Sequence, residues 1–379
     1  MRLIRRILYV TGTRADFGLM RSTLKRIEAD TRLSLEIVAT GMHLEAAYGL
    51  TITEIEQSHL SIAARVRIEN GVPNGALMAA NVGRMLTGFV PVFEAVRPEI
   101  VLLLGDRGEM LAGAIAALHL NIPAAHIHGG ERSGTVDEPI RHAISKLSTL
   151  HLVATQESRT RLISMGEAES TIHVVGAPGI DGMADLPHRD RKQLAIDYGL
   201  DASQPMALLV YHPVLQEAVA AGEHITAIID SLLTAGVQII ALKPNSDAGS
   251  ALVRNILEAR AASGQIHLFT HLARPTFIAF MATVNIMIGN SSSGIIEAAT
   301  FGTPVINIGS RQNLRERNSN ITDVGVDRNH ISDAITTVLG KHRHPRVNIY
   351  GDGHAGKRIV DILATLDLDL HSHGKTNAY

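Results

Sequence analysis

One recurring pattern constrains the fold more than any other. Short apolar runs end in glycine and then release a burst of charge, and they alternate with segments of helical period. The stretch Pro98–Arg141 shows it twice. The apolar runs Ile100–Leu104 and Ile122–Ile127 predict two β-strands. Asp106, Arg107 and Glu109 follow the first; His128, Glu131, Arg132, Asp137, Glu138 and Arg141 follow the second. In an open parallel sheet, loops past the carboxyl ends of adjacent strands converge on one crevice where ligands bind. Polar residues there mark a site rather than a solvated surface.

The same alternation runs along the chain. Ile7–Val10 predicts the first strand, leading into TGTRAD and a helix to about Glu28, and Ser34–Ala39 predicts the second. Asn74–Val96 reads as a long amphipathic helix stopped by Pro98. Strands at Ile100–Leu104, Ala124–Ile127, Leu150–Ala154 and Ile172–Val175 alternate with helices at Glu109–His119, Glu138–Lys146 and Glu157–Met165. Such alternation argues a parallel sheet covered on both faces. GAPGIDGMADLPHRDRK, rich in Gly and Pro and then charged, suits a linker. The pattern restarts with strands at Ala207–Tyr211, Gln238–Leu242, Asn285–Ile288 and Val305–Asn307, and helices fill the gaps. The expected architecture is α/β, with two doubly wound Rossmann-like domains facing across a cleft. Residues 1–180 form the first domain and 181–355 the second, while 356–379 form a helix and tail, the helix folding back on the first domain. HSHGKTNAY is expected to fray.

A chain of 379 residues is long enough for two domains. Hydrophobic content of 45% with 19% charge describes a soluble globular protein. A net charge of −2 offers no electrostatic case for nucleic acid or an anionic membrane, so any phosphate must be held by a local pocket. With zero cysteines, disulfides, thiolate metal sites and Cys nucleophiles are excluded, which fits a cytoplasmic protein. MRLIRRILYVTGTR lacks a signal-peptide core and cleavage site, so it is read as the first strand. No segment approaches the roughly 18 consecutive apolar residues of a membrane span.

Five stretches bear on chemistry. GTRADFG turns a strand into a helix, whose N-terminus and Arg14 suit an anion; the alternative is a capping turn with a surface Arg. It lacks the glycines of a dinucleotide fingerprint, which disfavours NAD. GNSSSGIIE opens a helix with Ser291, Ser292 and Gly294, small enough for close approach of an anion. Glu297 follows, able to accept two ribose hydroxyls; alternatively the serines cap the helix and Glu297 serves its dipole. No Lys follows the serines, so this is not a P-loop. YHPV and KPNSDAGS place His212 and Asn245 past strand ends, as ligands or as turn residues. Phe277 reads as core or as a platform for a base. In the 105–141 stretch, Asp106, Glu131 and Asp137 lie among His128, Arg107 and Arg141. That set suits acid–base work on a carbon-bound proton or, less specifically, a salt-bridged loop network. No metal-ligand spacing is present, so no metal is expected.

In order, GTRAD, LLLGDR, HIHGGERSG…DEPIRHA, YHP, PNSDAGS, GNSSSGIIE and INIGSRQ resemble the UDP-N-acetylglucosamine 2-epimerase family over residues 7 to about 317. They look most like its hydrolysing branch, which makes N-acetylmannosamine and UDP for sialic-acid biosynthesis. The resemblance implies a glycosyltransferase-B architecture, a UDP-sugar substrate, no cofactor, and self-association as a dimer or tetramer, with the Asn74–Val96 helix a candidate interface. It also implies site roles. Arg14 and Ser291–Ser292 match diphosphate-binding positions, His212 a UDP-contacting His, Glu297 the ribose-binding Glu, and Phe277 a residue near uracil. Asp106 and Asp137 match catalytic positions, with Arg141 their companion and Arg107, Glu131 and His128 beside them. The implied reaction removes the C2 proton, eliminates UDP in anti fashion to a glycal, then adds water at C1 and a proton at C2 from the other face. Arg14 and the Ser291–Gly294 helix start would stabilise the departing UDP. Two departures stand out: His128 stands where many members have Glu, and the chain reads GTRAD with Leu19 where the non-hydrolysing branch typically carries GTRPE and a Lys five residues past the Arg. The same chemistry on UDP-N,N′-diacetylbacillosamine, a glycosyltransferase of this fold, and a non-catalytic UDP-sugar-binding module are the alternatives.

Overall fold

The computed structural model describes residues 4–71, 74–133, 137–183, 189–214, 217–244, 249–367, 375, 376 and 378. Thirteen strands form two sheets among them. The first holds β1 (Arg5–Thr11), β2 (Leu33–Thr40), β3 (Ile62–Val66), β4 (Ile100–Leu104), β5 (Ala124–Ile127), β6 (Leu150–Val153) and β7 (Ile172–Val174), in the order β3-β2-β1-β4-β5-β6-β7. The second holds β8 (Met206–Val210), β9 (Gln238–Leu242), β10 (His267–Phe269), β11 (Ile286–Gly289), β12 (Val305–Ile308) and β13 (Ile321–Val324), in the order β10-β9-β8-β11-β12-β13. Every described strand pair is parallel. The central strands β4 (IVLLL) and β8 (MALLV) are buried at every position, as sheets sandwiched between helices require. Strand order reverses between β1 and β4 in one sheet and between β8 and β11 in the other. Those are the points where a doubly wound sheet opens a crevice for ligands.

Three strands and two helices go beyond the sequence-based expectation: β3, β10, β13, and the helices Ile52–Gln57 and Arg191–Asp197. The strands lie at sheet edges and are half-exposed, so their side chains lack the continuous apolar run that marks a buried strand. The long helix is capped by the Asn74 side chain, which accepts from the Leu77 amide at 2.9 Å. It ends at Arg97, which turns left-handed at φ 50° just before Pro98. By length and composition alone this helix, Gly75–Val96, would pass for a membrane span. Here Asn81, Met85, Phe89 and Phe93 form its buried face.

The helix Ala355–Thr365 returns to the first domain. Ile359, Val360 and Leu363 enter the core built by β1, β2 and the helix Arg14–Ala29. Both its ends are tied down. Asp181 accepts from the amides of Ala355 (2.9 Å) and Gly356 (2.6 Å). At the other end Arg5 donates to the Leu366 carbonyl at 2.7 Å and to that of Leu363. The chain therefore crosses between domains twice, and the crossings touch: the Ala177 amide donates to the Tyr350 carbonyl at 2.7 Å. Gly176 (φ +89°) and Gly351 (φ +138°) adopt backbone that other residues rarely take, and a side chain on either would crowd the opposite crossing. The expectation of a frayed tail fails at Lys375, whose ammonium is bonded to the carbonyls of Ser145 and Ser148.

Since Asp181 supplies the cap that the helix Ala355–Thr365 lacks at His354, Asp181→Ala should lower unfolding free energy by about 1–2 kcal/mol. A urea midpoint matching wild type would rule that capping role out.

Candidate active site

Each sheet delivers side chains to the cleft from the strands flanking its switch point. Arg14 follows β1 and Asp106 follows β4; His212 follows β8, and Ser291 and Ser292 follow β11. Together they line a cleft of about 280 Å³ between the domains. Its wall carries seven cationic side chains (Arg14, Arg107, Arg141, Lys243, Arg254, Arg311 and Arg315) against four carboxylates (Asp16, Asp106, Glu131 and Asp137). The cleft is thus locally positive in a chain whose net charge is −2, which suits an anionic ligand.

The carboxylates are organised by arginine. Arg141 lies in the helix Asp137–Leu147, four residues past Asp137, with its side chain 1% exposed. Its guanidinium pairs with Asp106 on one side and with Glu131 at 3.1 Å on the other. Burial pushes Arg141 down to about 9, so it remains cationic at neutral pH. Glu131 also pairs with Arg315 from the second domain and with His128 Nδ1. Asp137 sits at the helix start with Arg311 of the second domain 3.9 Å away. Asp106, Asp137, Glu131 and Arg141 are therefore brought together, and two arginines of the opposite domain complete the group.

His128 stands immediately after β5 with φ +63°, a left-handed conformation that costs a non-glycine residue energy and tends to occur at functional sites. Burial, with the Arg315 guanidinium adding to it, pushes the imidazole down to about 3, so the ring is neutral. A neutral ring meets a carboxylate by donating. Nδ1–H therefore points to Glu131, and Nε2 keeps the lone pair.

The remaining residues divide by position. Arg14, Arg107, His212, Ser291 and Ser292 line the cleft. Burial lowers the Arg14 guanidinium while Glu54 opposes that shift. Arg107 is held by Glu109 at 3.1 Å. The His212 backbone is clamped by Asn290, which accepts from its amide (2.8 Å) and donates to its carbonyl (2.7 Å). Ser291 caps the short helix Ser292–Ile296. The structure differs from the expected ligand roles at Gly294 and Glu297, and at Phe277 it takes the core reading of the two. Gly294 is buried against β12, where an added methyl would sit 3.0 Å from Val305, so its small size serves packing rather than approach to an anion. Glu297 follows the short helix that ends at Ile296 and is buried, paired with Arg274 at 2.7 Å rather than lining the cleft. Phe277 packs against the second domain's core with Arg274 6.0 Å over its ring. Asn245 lies outside the described residues. Gly12 of the GTR turn is likewise a packing glycine, since a side chain there would collide with Glu109.

Arg311, Arg315, Lys243 and Arg254 escaped the sequence reading. Arg311 follows Gly309 past β12, the same glycine-then-charge signal found after β4 and β5. Arg315 and Arg254 lie in mixed charged segments that look like ordinary surface. Only the fold shows Arg254 stacked 5.5 Å over Tyr48 across the cleft.

Residues 25–364 match the UDP-N-acetylglucosamine 2-epimerase family. The chain is 48% identical over 377 residues, 100% of both chains, to a Legionella pneumophila protein named UDP-N,N′-diacetylbacillosamine 2-epimerase (hydrolyzing). It is 35% identical over 341 residues, 89% of each chain, to the UDP-N-acetylglucosamine 2-epimerase of Neisseria meningitidis. Among solved structures, a Neisseria meningitidis UDP-GlcNAc 2-epimerase bound to UDP-GlcNAc matches with a TM-score of 0.79 at 20% identity, covering 94% of this chain and 99% of that one. The shared architecture is two Rossmann-like domains of glycosyltransferase-B type.

Two consequences are measurable. Arg141→Met strips buried Glu131 and half-buried Asp106 of a partner and should lower stability by about 3 kcal/mol at pH 7. The deficit should shrink as pH falls through the carboxylate range, and a pH-independent deficit would contradict an electrostatic origin. His126 and His128 titrate near 3 when folded but near their ordinary 6.5 when unfolded. Between those values the unfolded chain binds protons that the folded one does not, so unfolding free energy should fall as pH drops from about 6.5. Equal stability at pH 7 and pH 5, read from urea titrations, would overturn this.

Proposed function

Because the chain belongs to the UDP-N-acetylglucosamine 2-epimerase family, we propose that it is a hydrolysing 2-epimerase of a UDP-sugar, with UDP-N,N′-diacetylbacillosamine as substrate. One observation carries the chemistry: two carboxylates, Asp106 and Asp137, face a cation-lined cleft, each beside an arginine. The identity of the sugar rests on likeness to the Legionella pneumophila protein, 48% against 35% for the Neisseria meningitidis protein named for UDP-N-acetylglucosamine.

In this reading Asp106 and Asp137 handle the two protons at C2, one removing and one returning. The guanidinium beside Asp106 favours its ionised form, as a base requires. The departing UDP gathers negative charge as the C1–O bond breaks. Arg14 and Arg311, with the hydroxyls of Ser291 and Ser292, lie in the same cleft to stabilise it. Glu131, saturated by Arg141, Arg315 and His128, is a positioning residue. His128 Nε2, with its lone pair, can accept from the water that adds at C1. Hydrolysis of UDP-N-acetylglucosamine to N-acetylmannosamine and UDP is the second reading, favoured by the 35% identical relative.

A proton NMR time course in D₂O with each UDP-sugar, without added metal, tests both. Free UDP together with a 2-epimeric sugar deuterated at C2 is the expected result, with the diacetamido sugar turned over faster. UDP release without deuterium at C2 would overturn the epimerase mechanism, and faster turnover of UDP-N-acetylglucosamine would transfer the reading to that sugar. Asp106→Asn and Asp137→Asn should each lower kcat by about 100-fold or more while UDP still binds. Wild-type kcat in either variant would remove that residue from the mechanism.

A further inference from the structure

Behind the cleft, on the side away from the carboxylates, the helix Asp137–Leu147 ends in a buried polar cluster that the mechanism does not use. The last carbonyls of a helix have no partner within it, and a cation there also complements the helix dipole. Lys375 supplies one. Its ammonium donates to the Ser145 carbonyl at 2.7 Å and to the Ser148 carbonyl at 2.6 Å. It is fixed in turn by Glu167 at 2.6 Å, a carboxylate 1% exposed. Glu167 also takes Lys146 at 2.7 Å and His151 Nε2 at 3.0 Å. Burial would raise this carboxyl, but His151, Lys146 and Lys375 together hold it down to about 2, so it is ionised.

The cluster reaches the cleft through Ser145. His126 lies on β5, paired in register with His151 on β6. Its Nε2 meets the Gly105 carbonyl at 2.7 Å and its Nδ1 the Ser145 hydroxyl at 3.0 Å. A carbonyl can only accept, so Nε2 carries the proton and Nδ1 accepts from Ser145. Gly105, at φ +81°, is the residue directly before Asp106. A methyl on Gly129 would lie 2.9 Å from both His126 Nδ1 and Ser145 Oγ, so the HGG sequence leaves room for this pair. Ser145 thus links the helix bearing Asp137 and Arg141 to the loop bearing Asp106, and Lys375 holds Ser145 from the far end.

We propose that Lys375 is a positioning residue, a clamp from near the end of the sequence that sets Asp106, Asp137 and Arg141 relative to one another. The proposal rests on the epimerase reading only for its kinetic readout. The test uses the full chain with Lys375→Met and Lys375→Arg, counting folded sites by calorimetric titration with UDP. Misplacing catalytic groups by a fraction of an ångström is costly, so Lys375→Met should lose about tenfold in kcat per UDP site with KM changed by less than about twofold. Amide hydrogen exchange over residues 137–147 should quicken in the same variant, and Lys375→Arg should restore both. Unchanged exchange in Lys375→Met would overturn the clamp whatever the substrate. Faster exchange with wild-type kcat per site would make Lys375 a mere anchor and overturn its positioning role. If wild type turns over neither UDP-sugar, the functional reading fails while the exchange result still judges the clamp.

Discussion

The architecture of the cleft depends on one buried cation. Taking a guanidinium out of water carries a penalty that only well-placed carboxylates offset, and Arg141 finds two. Asp106 comes from the end of β4, Glu131 from beyond β5, and Arg141 itself from the helix that follows. Three consecutive segments are therefore bound by a single interaction that tolerates little displacement. Glu131 then extends the bond to Arg315 of the second domain, so a group that organises one domain also joins it to the other.

The two sheets contribute unequally. The first supplies carboxylates on short, strongly constrained turns: His128 in a left-handed conformation, Gly12 and Gly129 in places where any side chain would collide with Glu109, His126 or Ser145. The second supplies mostly cations and hydroxyls on longer side chains and loops, such as Arg254, Arg311, Arg315 and the serines after β11. Closely fixed carboxylates facing cations and hydroxyls suit a reaction in which the leaving group carries the charge and the reacting carbon needs the accuracy.

Much of this was legible in the sequence. The glycine-then-charge signal after β4 and β5 located the residues that converge on Arg141, because strand ends at a switch point have one place to go. Both sheets were visible in their central strands, whose apolar runs are dictated by burial on two faces. Less legible were features set by tertiary partners. Gly294 looked like an anion-binding glycine, and only Val305 behind it reveals the packing reason. Glu297 suits a ribose or a helix dipole by its local sequence, which carries no sign of the Arg274 that pairs with it. Edge strands β10 and β13, with mixed polarity, gave no periodic signal. Lys375 sat in a polar stretch indistinguishable from a loose end, since the carbonyls that hold it belong to residues more than 200 positions earlier.

The paired interdomain crossings have a mechanical meaning. A single covalent linker behaves as a ball joint, allowing one lobe to swivel and twist freely against the other. Two linkers pressed together at Ala177 and Tyr350, with glycines at Gly176 and Gly351 permitting the contact, behave as a door hinge. Bending about their common line leaves both strands relaxed, while torsion about the long axis of the molecule stretches one against the other. The torsional freedom of a single linker is thereby removed, and the register in which Arg315 meets Glu131 is held by the linkers as well as by the pair itself.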